Sequence, residues 1–414
     1  MNKFFTLLAA ALIAVSAGAT DYTNGFFVLN EDWFGHQSSS INFFSYEDST
    51  WHENVYKAEN PGSTLGNTAE YAQVFDGKLF ICSKQNYGTT GGRFIVADAK
   101  TLKKLVSIDE IGGADSRAFC PVTPEKGYIG TSDGIYVFNI STLALGSKID
   151  GTSGEYGDML YKEGFVYAAS KSGITVINAA TDQVASTLSQ ASTTSVFQTK
   201  SGQVYAAVND CTWGTPTSSN TCEFVPINTA TRTLGTPIKV DMASQNTSFA
   251  WKHCAPAADV NDEAVYYSPA ELSNFICKYD FATGTFTQKF ITFDGSQVMY
   301  GSVVGTDPKS GDIIATTFES YSSTNYYLNI YDHTTGALKK QVKMSGNYWF
   351  PAMIVPAQAA ETVTGVSTTA VAKTVTATDY YNLQGMRSAT PFQGINIVVT
   401  RYADGSKTSV KRSF

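Results

Sequence analysis

Seven times along this chain an acidic residue or Asn is followed three positions later by Thr, each time directly behind a strand-like run. The pairs are Glu47/Thr50, Asp98/Thr101, Asn139/Thr142, Asn178/Thr181, Asn228/Thr231, Asp280/Thr283 and Asp332/Thr335. An Asp or Asn side chain accepts from backbone N–H groups two or three residues on, and Thr supports the return of a hairpin. Successive occurrences lie about 40 to 50 residues apart, the period of a four-stranded propeller blade. A second motif lies upstream of several of these turns. Phe75–Ile81, Lys162–Ala168, Lys200–Ala206 and Lys309–Ala315 each place a Gly-containing turn before a strand. A repeat unit therefore reads strand A, Gly turn, strand B, loop, strand C, Asx–Thr turn, strand D.

The two ends of this array are complementary. Gly25–Asn30, Ser39–Tyr46 and Thr50–Lys57 read as strands B, C and D with no strand A before them. Tyr348–Pro356 reads as a strand A with nothing after it. Pairing the two removes exposed sheet edges. The expected fold is all-β: a seven-bladed β-propeller over residues 24–356, closed by pairing of its N- and C-terminal strands. Residues 357–379, rich in Ala, Thr and Val, read as a linker. Residues 380–414 read as a small β-rich appendage with strands near Tyr380–Asn382 and Ile395–Arg401 and a basic end at Lys407, Lys411 and Arg412.

Charged residues are 16% of the chain and the net charge is -7, which argues against a nucleic-acid footprint. Lys3, the apolar stretch Phe4–Val15 and the small residues Ala17-Gly18-Ala19 have the layout of a signal peptide over residues 1–19; the alternative is an N-terminal anchor. The expected location is the cell surface, the outer membrane or the extracellular space, with no membrane span in the mature chain. Cys211 and Cys222 bracket a Gly/Pro/Ser/Thr-rich loop and are either bridged or two free thiols. No C-x-x-C occurs and there are four His, so no metal or cofactor is expected.

Blade topology puts the B-to-C and D-to-A connections on one face, and the long loops are mostly B-to-C: 31–38, 84–92, 209–221, 269–274 and 319–325. Long loops in compact domains commonly carry function. With the D-to-A entries they supply the candidate ligand-binding residues Trp33, Phe34, His36, Tyr87, Arg117, Trp213, Trp251, Tyr300, Tyr321 and Trp349. Aromatic rings gathered on one rim form an apolar platform with polar tips, suited to a large planar or saccharide ligand; the alternative for each ring is packing between blades. His36 beside Glu31 and Asp32 is either a metal ligand or a polar loop residue. His52 and His333 fall near outer turns and are expected to be solvated. No G-x-S-x-G, H-E-x-x-H or phosphate loop occurs, so no catalytic residue is assigned and the chain is not read as an enzyme.

Three segments carry a family resemblance: Gly25–Glu31 with Trp33-Phe34-Gly35 and Ser40–Phe44, then Thr123–Tyr128 with Thr131–Val137, and Tyr348–Met353. They resemble the YncE-like surface propellers of the DUF5074 group from Bacteroidetes. One branch of that group, the BtuG-type proteins, captures vitamin B12 and passes it to an outer-membrane transporter. The resemblance thus implies a corrinoid ligand and a transporter partner. This chain departs from that branch in having no Cys behind the expected cleavage site for lipid attachment. Tyr381–Arg387 followed by Gly394–Val398 resembles the C-terminal sorting segments of secreted Bacteroidetes proteins. The expectation is a non-catalytic secreted or surface protein that captures a bulky small molecule such as cobalamin. The alternatives are a glycan- or protein-binding adhesion propeller and, behind it, a lactonase-like enzyme.

Overall fold

A computed structural model describes residues 20–33, 36–85, 90–209, 222–240, 255–269, 272–301, 303–345, 350–358, 375–382, 384–402 and 407–413. The chain divides into two compact units, Met1–Thr362 and Val363–Phe414. Among the described residues the protein is all-β, with one α-helix, Val55–Glu59.

The first unit is a succession of antiparallel sheets, all but the first built from strands adjacent in sequence. Sheet 2 holds Asn67–Phe75, Lys78–Gln85, Phe94–Asp98 and Lys104–Ile108. Sheet 3 holds Ser116–Thr123, Lys126–Thr131, Gly134–Asn139 and Ala144–Lys148. Sheet 4 runs from Met159–Lys162 to Gln183–Leu188, sheet 5 from Thr193–Gln198 to Ile238–Lys239, sheet 6 from Ala257–Ala258 to Thr285–Thr292, and sheet 7 from Val304–Thr306 to Leu338–Met344. Sheet 1 alone is discontinuous in sequence. Gly25–Asn30 pairs on one side with Ser40–Ser45, which in turn pairs Trp51–His52, and on the other with Pro351–Pro356. The register of that last pairing is Phe26↔Pro356, Val28↔Ile354 and Asn30↔Pro351. The expected pairing of the two ends of the array is thus present.

Burial explains why the strands differ in composition. Middle strands such as Phe165–Ser170 and Ile313–Phe318 are covered on both faces and read as near-continuous apolar runs. Outer strands such as Gln183–Leu188 alternate exposed and half-buried positions. Each sheet shares a core with the next. Phe27, Leu29 and Ile41 of sheet 1 pack with Leu79, Ile81 and Ile95 of sheet 2. Phe80 and Phe94 stack into Phe119 and Phe138 of sheet 3, the Phe80 and Phe119 rings 4.3 Å apart. Tyr266 of sheet 6 and Ile313 of sheet 7 share a cluster with Phe26 and Val28 of sheet 1. Each fully buried ring of this kind contributes roughly 1.5–3 kcal/mol. Cys82, Cys120 and Cys277 are buried free thiols, and burial pushes each up to about 12. Cys211 and Cys254, and the side chain of Cys222, lie outside the described residues.

The turns behave as their chemistry requires. The Asp98 carboxylate accepts from the N–H groups of Lys100 and Thr101 at 3.1 and 2.8 Å, and Asn139, Asn228, Asp280 and Asp332 accept from the N–H three residues on. Asn178 differs by one, accepting from Ala180 N–H. The first repeat is corrected: Asp48, not Glu47, accepts from Thr50 N–H, at 3.2 Å. The short Asp side chain reaches back to its own turn, and Asp48 sits one residue closer to Thr50. In the Gly turns, Asp76-Gly77 and Glu163-Gly164 both have positive φ at both positions, the requirement of a tight two-residue hairpin.

Three expectations change. Thr50–Lys57 is not one strand: Trp51–His52 pairs briefly, Asn54 turns the chain at φ 50, and the helix Val55–Glu59 buries Val55 and Tyr56. Of the expected linker, Ala357 is buried against the first unit, bonding Gly25 O, and Val375–Tyr381 is a strand; residues 359–374 lie outside the described residues. His52 and His333 are half-buried rather than solvated, His333 Nε2 lying 3.4 Å from Asn261 Nδ2.

In the second unit the strand order is Arg387–Ser388, Val375–Tyr381, Ile395–Tyr402, Lys407–Ser413. The basic end is therefore a strand, pairing Lys407 with Arg401 and Ser413 with Ile395. The Tyr381–Arg387 motif is a turn. Asn382 Oδ1 accepts from Gln384 and Met386 N–H, Gly385 takes φ +81, and Arg387 reaches buried Asp379. Arg387, and less strongly Arg401, hold the Asp379 carboxyl below the usual range.

Candidate functional site

The rim begins where Gly25–Asn30 ends. Glu31 N–H donates to Phe350 O at 2.9 Å, tying the loop after the first strand to the residue just before Pro351–Pro356. Two residues on, Trp33 is 42% exposed and its ring stacks on His36 at 3.6 Å. Glu31 also accepts from the Tyr300 hydroxyl at 3.1 Å. Tyr300 lies 4.9 Å, ring to ring, from Phe350 and 6.4 Å from Tyr321, which is 47% exposed. Leu272, also exposed, bonds Met299 O next to Tyr300. These residues belong to loops of sheets 1, 6 and 7, and Glu31, two residues before Trp33, bonds both Tyr300 and Phe350.

The backbone there is held away from its preferred conformations. Asp32, Leu272 and Phe350 have φ of 60, 59 and 40, in the left-handed region that side chains with a Cβ disfavour. Positive φ also recurs in turns elsewhere in the unit, as at Leu102, Leu143 and Arg232.

Of the predicted residues, Trp33 pairs with His36 and Tyr300 lies beside Tyr321. Arg117 does not join them. Its side chain is 3% exposed and its guanidinium bonds the partly exposed Asp115 at 3.3 Å and Glu155 at 3.2 Å, so it is engaged in an ion-pair network. Burial lowers its pKa, offset by Asp115 and Glu155. Beside it in the same network, Lys84 and Glu70 form an ion pair at 3.0 Å with both side chains almost fully buried. Burial lowers the Lys84 pKa while Glu70 opposes that shift. Phe34, Tyr87, Trp213, Trp251 and Trp349 lie outside the described residues. Sequence reasoning missed Glu31, Leu272 and Phe350 as rim members. Leu272 and Glu31 stood in loops already singled out, and Phe350 followed Trp349 directly, so loop membership was the available signal. His36 is engaged by Trp33, and among the described residues no three His, Cys, Asp or Glu side chains group as a metal site.

The family model described as "Domain of unknown function (DUF5074)" matches residues 24–356, the stretch that holds all the sheets of the first unit. The chain belongs to the DUF5074 family. No curated protein matches this DUF5074 chain. Among solved structures it is similar to the computationally designed Ika8 protein, at 14% identity over 84% of this chain and 98% of that one, with a TM-score of 0.40. It is also similar to a chain of the Mitotic Checkpoint Complex, at 12% identity over 86% and 92%, with a TM-score of 0.48. Both scores are low, and neither likeness bears on function. No helix among the described residues is long and apolar enough to cross a membrane.

Proposed function

We propose that the seven sheets are blades of a β-propeller, with Pro351–Pro356 completing the first, and that the protein is a non-catalytic binding protein whose aromatic rim captures a bulky, partly planar small molecule. A corrinoid is the candidate ligand, and an outer-membrane transporter or surface protein is the candidate recipient. The observation that carries this reading is the exposure of Trp33 and Tyr321 on a patch pinned by Glu31, Tyr300 and Phe350. Exposed rings held in place from behind lose little side-chain freedom when a ligand covers them. The Glu31 carboxylate among those rings also suits a saccharide, which favours glycan adhesion as the second reading. Export through the N-terminal leader and sorting by residues 380–414 complete the proposal.

Titration of the mature protein with cobalamin, read by tryptophan fluorescence, tests it. Saturable micromolar binding weakened roughly tenfold by Trp33→Ala supports the rim. Absence of saturation, with binding on a glycan panel, transfers the site to adhesion. Equal binding by Trp33→Ala and wild type moves the ligand off these loops. Deleting residues 380–414 tests sorting: the propeller folds, and delivery to the surface or medium is lost.

A further inference from the structure

Three rings of the rim meet at a corner. Tyr300 and Phe350 lie 4.9 Å apart with their planes tilted by 34°. Tyr321 stands across both, 6.4 Å from Tyr300 at 87° and 6.0 Å from Phe350 at 63°. Buried Phe318 backs the tyrosines, 5.4 Å from Tyr321 and 6.4 Å from Tyr300, yet Tyr321 stays 47% exposed. A carboxylate stands at the same corner. Glu31 Oε2 accepts from the Tyr300 hydroxyl at 3.1 Å, and Glu31 N–H donates to Phe350 O. Among the described residues Glu31 has no ion pair of its own. Burial lowers the Lys84 pKa, and of the carboxylates opposing this, Glu70, bonded to Lys84 at 3.0 Å, acts ahead of Glu31.

The chain shows elsewhere what such a ring pair can hold. Tyr266 and Phe290 lie 5.6 Å apart at 31°, close to the arrangement of Tyr300 and Phe350. The Lys278 ammonium sits 5.4 Å from the Tyr266 centroid and 5.0 Å from that of Phe290. We propose that the corner of Tyr300, Tyr321 and Phe350 binds an alkylated ammonium group, with the Glu31 carboxylate as its counter-ion. The negative face of each ring and the carboxylate attract the same charge. Alkyl groups on the nitrogen replace its N–H donors with a weakly hydrated surface, so rings displace its water at little cost, whereas a primary ammonium is a compact, strongly hydrated charge. The inference rests on the reading of the rim as a small-molecule site and adds the charge and chemical class of the group that enters it.

The test is calorimetric titration of the full mature chain with choline and with neohexyl alcohol, which is choline with carbon in place of its charged nitrogen. Saturable millimolar binding of choline is expected, roughly tenfold tighter than that of the alcohol. Tyr321→Leu keeps the bulk and removes the π face, and should weaken choline roughly tenfold; Tyr321→Phe should stay within about twofold of wild type. Glu31→Gln can still accept from Tyr300 and should weaken choline roughly fivefold. Tyr321 is on an exposed loop, so both of its variants should keep the wild-type unfolding midpoint. No saturable choline binding, equal binding of choline and the alcohol, or choline binding that survives Tyr321→Leu overturns the proposal. Cobalamin and the glycan panel are titrated into the same variants. If either binds and Tyr321→Leu weakens it while choline is ignored, the cation fails and the rim stands. If none of them, choline included, responds to Tyr321→Leu, the rim reading fails as well.

Discussion

The seam between sheets 2 and 3 and the seam where sheets 6, 7 and 1 meet use the same residue types to opposite ends. In the first, Phe80, Phe94, Phe119 and Phe138 are fully buried and interlocked, and the charges nearby are paired, buried Lys84 with buried Glu70 and buried Arg117 with the partly exposed Asp115 and Glu155. In the second, Phe26, Tyr266 and Ile313 fill the core, but the loops above it hold Trp33, Leu272 and Tyr321 out toward solvent. Identical strand geometry thus yields a sealed joint and an open one. The difference lies in the connections: a ring on a middle strand is covered by the next sheet, whereas Trp33 and Tyr321, on loops, stay 42% and 47% exposed.

That contrast is breakable. Phe119→Ala should cost roughly 3–5 kcal/mol in chemical unfolding while leaving ligand binding intact, since it empties a packed joint; a loss under about 1 kcal/mol would mean that the seam is not packed. Lys84→Met, which leaves Glu70 buried without its countercharge, should cost about 3 kcal/mol by the same measurement. Asp98→Ala removes an acceptor from the backbone of its turn and should lower stability by about 1 kcal/mol, whereas Glu47→Ala, at the equivalent sequence position, should stay within about 0.5 kcal/mol. Tyr321→Ala, on the open joint, should also change stability by no more than about 0.5 kcal/mol in chemical unfolding, and yet reduce binding to the rim. A large stability loss for Tyr321→Ala would turn the rim into core and erase the comparison.

The all-β class, the hairpin turns and the meeting of Gly25–Asn30 with Pro351–Pro356 were legible because turn chemistry is local. An Asx side chain or a Gly at positive φ leaves its mark within four residues. Thr50–Lys57 was misread because Val55 and Tyr56 are apolar in either a strand or a helix, and burial under sheet 1 with Asn54 in the left-handed region decided for the helix. The end strand Lys407–Ser413 was hidden by its charges, which an edge strand tolerates well. The site was half legible. Loop length singled out Trp33, His36 and Tyr321, and the D-to-A entries singled out Tyr300 and Arg117, but Arg117 looked the same in sequence as a ligand-facing arginine. Only its distances to Asp115 and Glu155, residues on either side of it in the chain, reveal that it is already occupied.

The partnership of the first strand with the last also sets an order in time. Gly25–Asn30 leaves the ribosome early, and Pro351–Pro356 follows only when more than three hundred further residues have been made. Throughout that interval the early strand keeps one row of N–H and C=O groups without its native partner, an edge open to any passing strand. Each intervening sheet can assemble from its own neighbours as it emerges, because its hairpins are local, whereas the first must close the longest loop in the unit. The pairing that closes this longest loop is also the one that joins Glu31 to Phe350. A chain interrupted shortly before residue 350 would carry six complete sheets, one unpaired edge and no bond between Glu31 and Phe350.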